Sequence, residues 1–187
     1  MVPVIVVPTA RAINRDGSNE YGTTASDVQW HVLYVKSRQE KALGDELAAM
    51  RIEYYLPLVR HPRFYGKKKS QVELPLFPGY LFLLGSLENV YSADRTKRVA
   101  RIIHVADQGQ LERDLENLNV ALTSGAILRT HAFLAKGTRV EVMAGPLKGL
   151  QGVVDDPSKP RRLILQVEML TSAASLEIDG ALVQPIR

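Results

Sequence analysis

His31, His61, His104 and His131 are scattered along the chain with none of the short spacings by which imidazoles close around a metal, so they read as core or surface residues rather than ligands. Asp155-Asp156 fall at a turn, and Glu112, Asp114 and Glu116 on a helix face; both placements favour solvated carboxylates over a paired acid and base. Gly145, Gly149 and Gly152 suggest a phosphate-cradling loop, but Lys148 precedes Gly149 and Leu150, so the Gly-Lys-Ser/Thr ending is missing. A tight turn between two strands accounts for these glycines better. The chain has no cysteine, which removes disulfides, thiolate metal sites and cysteine nucleophiles together and suits a reducing compartment. With no nucleophile, metal site or cofactor loop, neither an enzyme nor a bound cofactor is expected.

The remaining chemistry is that of binding. Tyr34, Phe77, Tyr80 and Phe82 lie on or beside apolar strands, where aromatic rings are ordinarily core. The turn Phe77-Pro78-Gly79-Tyr80 alters that reading, because proline locks φ and glycine tolerates positive φ, holding the rings rigidly beside a strand edge. A rigid aromatic hollow of low conformational entropy suits the docking of another protein. Two basic clusters accompany it, Arg60, Arg63, Lys67, Lys68 and Lys69, then Arg95, Lys97, Arg98 and Arg101. A charged hairpin tip is ordinarily a solvated loop, yet two such clusters in one domain favour a polyanion whose phosphates they neutralise. No aromatic platform interleaves the lysines, so sequence-specific RNA reading on that loop is not supported.

The elements that must position these groups follow from periodicity. With 187 residues, 45% of them hydrophobic, the chain can form one or two domains, and two are expected. The net charge of +4 is modest, so its distribution matters more than its sum. No window approaches a membrane span, and the opening Val2 to Val7 lacks a basic leader and is broken by Pro3 and Pro8; a cytoplasmic monomer with no membrane contact is expected. Residues 1–26 carry few large apolar side chains and should be a poorly ordered extension. Val28 to Val35 reads as a strand with Trp30, Val32 and Tyr34 on one face and His31, Leu33 and Val35 on the other. Ser37 with Glu40 predicts a capping box opening a helix whose core face is Ala42, Leu43, Leu47 and Met50. A strand over Ile52 to Leu56, a basic hairpin returning over Gln71 to Leu76, a central strand Tyr80 to Leu84, a helix Leu87 to Thr96, a strand Arg101 to Val105 and a helix Leu111 to Thr123 complete an α/β sandwich with a mixed or antiparallel sheet over residues 27–126. Residues 127–136 read as a linker. Residues 137–187 hold five short β-prone runs, Arg139 to Met143, Gly152 to Asp155, Leu163 to Glu168, Ser175 to Ile178 and Leu182 to Pro185, which predict a small β-barrel, so the chain as a whole is of the α+β class.

Two blocks carry a resemblance. The Trp30 to Lys36 strand, the Glu40-Lys41 helix start, Ile52 to Pro57 and Leu76 to Phe82 resemble the N-terminal (NGN) domain of the NusG family of transcription elongation factors. Lys136 to Val142 with Gly145 to Gly152 resembles that family's C-terminal KOW domain, a five-stranded SH3-like barrel. The phrases Val35 to Lys41, Tyr55-Leu56-Pro57-Leu58 and Pro75 to Tyr80 look closer to the specialised paralogues of the RfaH, LoaP and UpxY type, which act as processive antiterminators. The resemblance implies that Tyr34, Phe77, Tyr80 and Phe82 receive the clamp helices of the largest subunit of RNA polymerase. It further implies that Lys36 and Arg98 approach the non-template DNA strand; the cluster at Lys67, Lys68 and Lys69, read from its charge, would add salt-sensitive attraction to upstream or non-template DNA. Leu147, Leu150, Met169 and Leu170 map onto the face that in this family meets a small-subunit ribosomal protein or the termination factor Rho. The alternative is a ribosome-associated or RNA-binding KOW protein; against it, residues 137–187 balance six cations with six carboxylates, which is no clamp for ribosomal RNA.

Overall fold

The computed structural model describes residues 28–65, 68–132, 137–156, 162–170 and 172–186, so the extension expected over residues 1–26 lies outside them. The chain divides into two compact units between Gln108 and Gly109.

The first unit runs β1 (Gln29–Val35), α1 (Glu40–Ala49), β2 (Glu53–Tyr55), β3 (Leu58–Tyr65), β4 (Lys68–Pro75), β5 (Tyr80–Gly85), α2 (Leu87–Arg95) and β6 (Val99–Ile103). Four strands form one sheet in the order β2-β5-β1-β6, with every pairing antiparallel. Among the described residues, strands β3 and β4 pair only with each other, as a ribbon in which Leu58 faces Pro75 and Tyr65 faces Lys68. Arg60 and Arg63, expected in a hairpin loop, therefore lie within β3, and Lys68 and Lys69 lie within β4.

Alternation along β1 and β5 gives the sheet two apolar faces. Leu33, Val35, Leu81, Leu83 and Val99 share a buried cluster with Leu43 and Leu47 of α1 and Val90 and Ala93 of α2. The opposite face carries Trp30, Val32 and Tyr34 of β1 across from Leu84, Phe82 and Tyr80 of β5, with Tyr55 of β2 beside Phe82. Along β6 the alternation breaks. Val99 pairs with Val35 but Arg101 pairs with Tyr34, so the strand bulges at Ala100 and turns Arg101 onto the tyrosine face.

The helix ends differ from the capping pattern read in the sequence. Gln39 precedes α1 without a side-chain cap, and Glu40 does not close a capping box with Ser37. The expected core face is also narrower: Leu43 and Leu47 are buried, Ala42 is half-buried, and Met50 is exposed because the helix has ended before it. Arg51 in the left-handed region (φ +57°) closes α1, with the amide of Ile52 donating to Leu47 O at 2.9 Å. At the other helix, Asn89 Oδ1 accepts the Ser86 amide at 2.9 Å and secures the start of α2.

The second unit contains nearly all of α3 (Gln108–Thr123), then β7 (Arg129–Ala132), β8 (Thr138–Val142), β9 (Gln151–Val154), β10 (Arg162–Val167), β11 (Ser172–Glu177) and β12 (Val183–Pro185). Leu111, Leu115, Leu118 and Ala121 of α3 are buried at helical spacing, while Leu122 is half-buried. The strands form one antiparallel sheet in the order β12-β8-β9-β10-β11-β7. Each of the five anticipated runs overlaps a strand. A sixth strand arises from Arg129–Ala132, in the stretch read as a linker, because those residues pair with Ser172 to Ser175 of β11 despite their weak periodicity. The unit boundary also falls earlier than residue 126, and Asn117 Oδ1 of α3 accepts the Gln151 amide of β9 at 3.3 Å. Between β8 and β9, Gly145 and Gly149 take φ of +83° and +86° and form the expected tight turn, with Gly149 N–H donating to Val142 O at 2.8 Å. Among the described residues no helix is long and apolar enough to cross a membrane.

One buried polar atom is left over. The Tyr55 hydroxyl has no hydrogen-bond partner among the described residues, and burial pushes its pKa upward. Tyr55→Phe should therefore raise the unfolding free energy by about 1 kcal/mol in urea denaturation, since the change removes an unpaired buried group without opening a cavity.

Candidate partner-docking site

The aromatic edge is built from a bend, a helix start and two strand ends. Pro78 ends any further strand pairing after β4, and Gly79 reverses the chain with φ +84°. The bend is held at four points. Leu76 N–H donates to Pro57 O at 2.8 Å, Tyr80 N–H to Phe77 O at 3.1 Å, and Val35 N–H to Gly79 O at 2.7 Å. The fourth is a buried side chain: Glu40, only 6% exposed, accepts the Gly79 amide through Oε1 at 2.8 Å. A carboxylate in the first turn of a helix is also favoured by the unpaired amides there. The positive φ favours glycine at position 79, and an added Cβ would also lie 3.1 Å from the Tyr34 ring, which would have to shift by a few tenths of an ångström.

Held in this way, Tyr34 and Tyr80 face each other across β1 and β5 with ring centroids 5.3 Å apart and planes at 60°, an edge-to-face pair. Tyr34 is 41% exposed and Tyr80 half-buried, whereas Phe77 and Phe82 are 2% and 0% exposed. Two of the four rings anticipated in the hollow are thus accessible. The other two are core beneath them, because Phe82 lies mid-strand against Tyr55, 6.1 Å between centroids, while Phe77 sits inside the bend. Arg101, placed by the bulge in β6, brings its guanidinium carbon to 6.0 Å from the Tyr34 ring centroid, within cation–π range.

The basic residues separate into internal and outward-facing groups. Arg98 donates from Nε to Glu46 Oε1 at 2.8 Å, approaches the same oxygen through a second guanidinium nitrogen, and also donates to Gln39 Oε1. It ties the segment before β6 to α1. Lys36 is exposed, yet its Nζ donates to Lys97 O at 2.6 Å and its amide donates to Arg98 O at 2.9 Å. Lys97 and Arg38 both occupy the left-handed region at φ +61°. On the ribbon, Arg60 pairs with Glu73 at 3.3 Å, and Lys67 lies outside the described residues. Lys68 and Lys69 are separated in sequence and element from Lys36 and Arg98, so the four do not belong to one loop.

In the second unit Leu150 and Leu170 are buried, while Leu147 and Met169 are half-exposed. Leu147 lines a cleft of about 380 Å³ with Ile127, Arg129, Arg162 and Glu177. Burial lowers the pKa of His31, whose Nε2 lies 3.2 Å from Gly85 O, a structural arrangement. Among the described residues no group of histidines and carboxylates could hold a metal ion.

Sequence reasoning missed Glu40 and Arg101 at this edge. Glu40 matched a local capping pattern, and nothing local signals a partner 39 positions away; Arg101 was counted with a basic cluster because its facing depends on the bulge.

Glu40→Ala should strand the Gly79 amide, costing about 1–3 kcal/mol in denaturant unfolding and abolishing slow hydrogen exchange at that amide, while Glu40→Gln, which keeps an acceptor, should retain most of both. Arg98→Ala should lower stability by roughly 1–2 kcal/mol even without any ligand, as its hydrogen bonds to Glu46 and Gln39 are lost; thermal unfolding of the free protein would check this.

A family model described as transcription termination factor nusG matches residues 28–115. No curated protein matches the chain significantly. Among solved structures, Thermotoga maritima NusG is 18% identical, aligned over 87% of this chain and 99% of that one, with a TM-score of 0.44. The MjSpt4:Spt5 complex, conformation B, is 17% identical over 84% of this chain and 96% of the matched chain, with a TM-score of 0.28. Residues 28–115, from β1 into α3, are thus similar to the NusG family of transcription factors.

Proposed function

We propose that this protein is a non-enzymatic elongation factor that docks on the clamp helices of the largest RNA polymerase subunit through the Tyr34–Tyr80 edge, with Phe77 and Phe82 as its rigid floor. The observation that carries the reading is an exposed, edge-to-face tyrosine pair locked onto a four-point bend inside the segment that matches the family. An aromatic surface whose rotamers are already restricted loses little entropy on binding. By holding the clamp in its active form the factor suppresses pausing and termination, the processive antitermination of the specialised paralogues. A preference of about 1.4 kcal/mol for that form shifts the equilibrium about tenfold.

Residues 27–126 act as the NGN domain and residues 137–187 as a KOW barrel, a reading supported by the strand run β12-β8-β9-β10-β11. The KOW domain recruits a second partner, a small-subunit ribosomal protein or Rho, through the region of Leu147 and Met169, with Leu150 and Leu170 supporting it from below. Lys36, with Lys67, Lys68 and Lys69, adds salt-sensitive attraction to non-template or upstream DNA, and Arg98 contributes by holding the loop that carries Lys36. The protein works as a cytoplasmic monomer.

Purified polymerase should be retained by the wild-type protein and at least about tenfold less by Tyr80→Ala or Tyr34→Ala, since central aromatic anchors carry about 2 kcal/mol or more of an interface. Equal retention of all three would refute docking at this edge.

A further inference from the structure

Arg101 stands on the docking face only because β6 is irregular. With unbroken alternation from Val99, which lies in the core cluster beside Val35, Arg101 would point to the helical side of the sheet. The bulge at Ala100 reverses that facing and sets Arg101 opposite Tyr34. Bulges commonly re-aim a side chain beside a functional site. The result is an exposed guanidinium 6.0 Å from an exposed ring that itself packs edge-to-face on Tyr80.

Its charge is unspent. No carboxylate among the described residues pairs with Arg101, in contrast to Arg98, which is committed to Glu46, and Arg60, which is committed to Glu73. Attraction to the ring uses the cation as a whole and leaves the fork of N–H donors to make the two parallel bonds that a carboxylate accepts. A tyrosine pair alone would accept any apolar contact; a cation fixed at its border distinguishes partners by charge.

We propose that Arg101 makes this face selective for an acidic partner: the segment that lies on Tyr34 and Tyr80 presents a carboxylate next to its apolar contact, and Arg101 pairs with it. This rests on the docking function proposed above and adds the chemistry of the partner. A basic side chain at the same place on a competing surface is rejected by like charge.

The test uses the full-length protein and core RNA polymerase, with equilibrium binding measured at low and high salt for Arg101→Lys, Arg101→Gln, Arg101→Glu and Tyr34→Ala. Arg101→Gln and Arg101→Glu lose the ring contact equally, so the difference between them reports the charge of the partner. Arg101→Lys should bind within about threefold of wild type, Arg101→Gln about fivefold more weakly and with a flatter salt dependence, and Arg101→Glu about thirtyfold more weakly or worse. Matching thermal midpoints of the free variants would place those losses in the interface. If Arg101→Glu binds like Arg101→Gln, or more tightly, while Tyr34→Ala loses binding, docking stands and acidic selectivity is overturned. If Tyr34→Ala binds like wild type, the docking reading falls and the selectivity falls with it.

Discussion

Because the carboxylate of Glu40 takes the amide of Gly79, the first turn of α1 and the bend ahead of β5 are tied into one piece. The same glycine returns its carbonyl to Val35 at the end of β1, so a single residue joins helix, bend and central strand. A buried carboxylate is costly unless its oxygens are used, and a buried amide is costly unless it is accepted; each group here removes the other's penalty. The positive φ of Gly79 lets the chain turn closely enough for the Tyr34 ring to lie against it. The exposure and mutual angle of Tyr34 and Tyr80 follow from that junction.

A second set of constraints acts at the far side of β1. Arg98 binds both Gln39 and Glu46, and Lys36 is held to the backbone of Lys97 and Arg98, so the β1–α1 and α2–β6 connections are fastened together. Directly after this junction β6 bulges between Val99 and Arg101. The outcome is a face with three neighbouring groups of different character: two polar-tipped rings and one cation. Beneath them Phe82 and Tyr55 supply a packed floor that resists deformation.

The second unit solves a different problem. Its strands are short, and β10 and β11, paired antiparallel from Arg162–Glu177 to Val167–Ser172, are buried along most of their length. Arg129–Ala132 extends that sheet beyond β11 and shortens the connector that sequence patterning placed there. The charge of this unit is evenly balanced, whereas the first unit carries exposed cations such as Lys36 and Arg101.

Much of the fold was legible in the chain because it depends on short-range periodicity. Alternation in β1 and the apolar run in β5 specify strands, leucines at helical spacing specify α3, and glycines at 145 and 149 specify a tight turn, each through local geometry. The pairing of Pro78 with Gly79 likewise announced a rigid aromatic bend before any contact was known. What the sequence could not determine is what depends on distant partners. The tertiary structure decided that Glu40 serves a remote bend rather than its own helix, that Arg98 is an internal tie, that Phe77 and Phe82 are floor while Tyr34 and Tyr80 remain accessible, and that Arg101 faces the rings. Each of these is set by which atoms approach across the sheet, and local propensity carries no information about such approaches, since one extra residue in a strand is enough to reverse the face on which every later side chain lies.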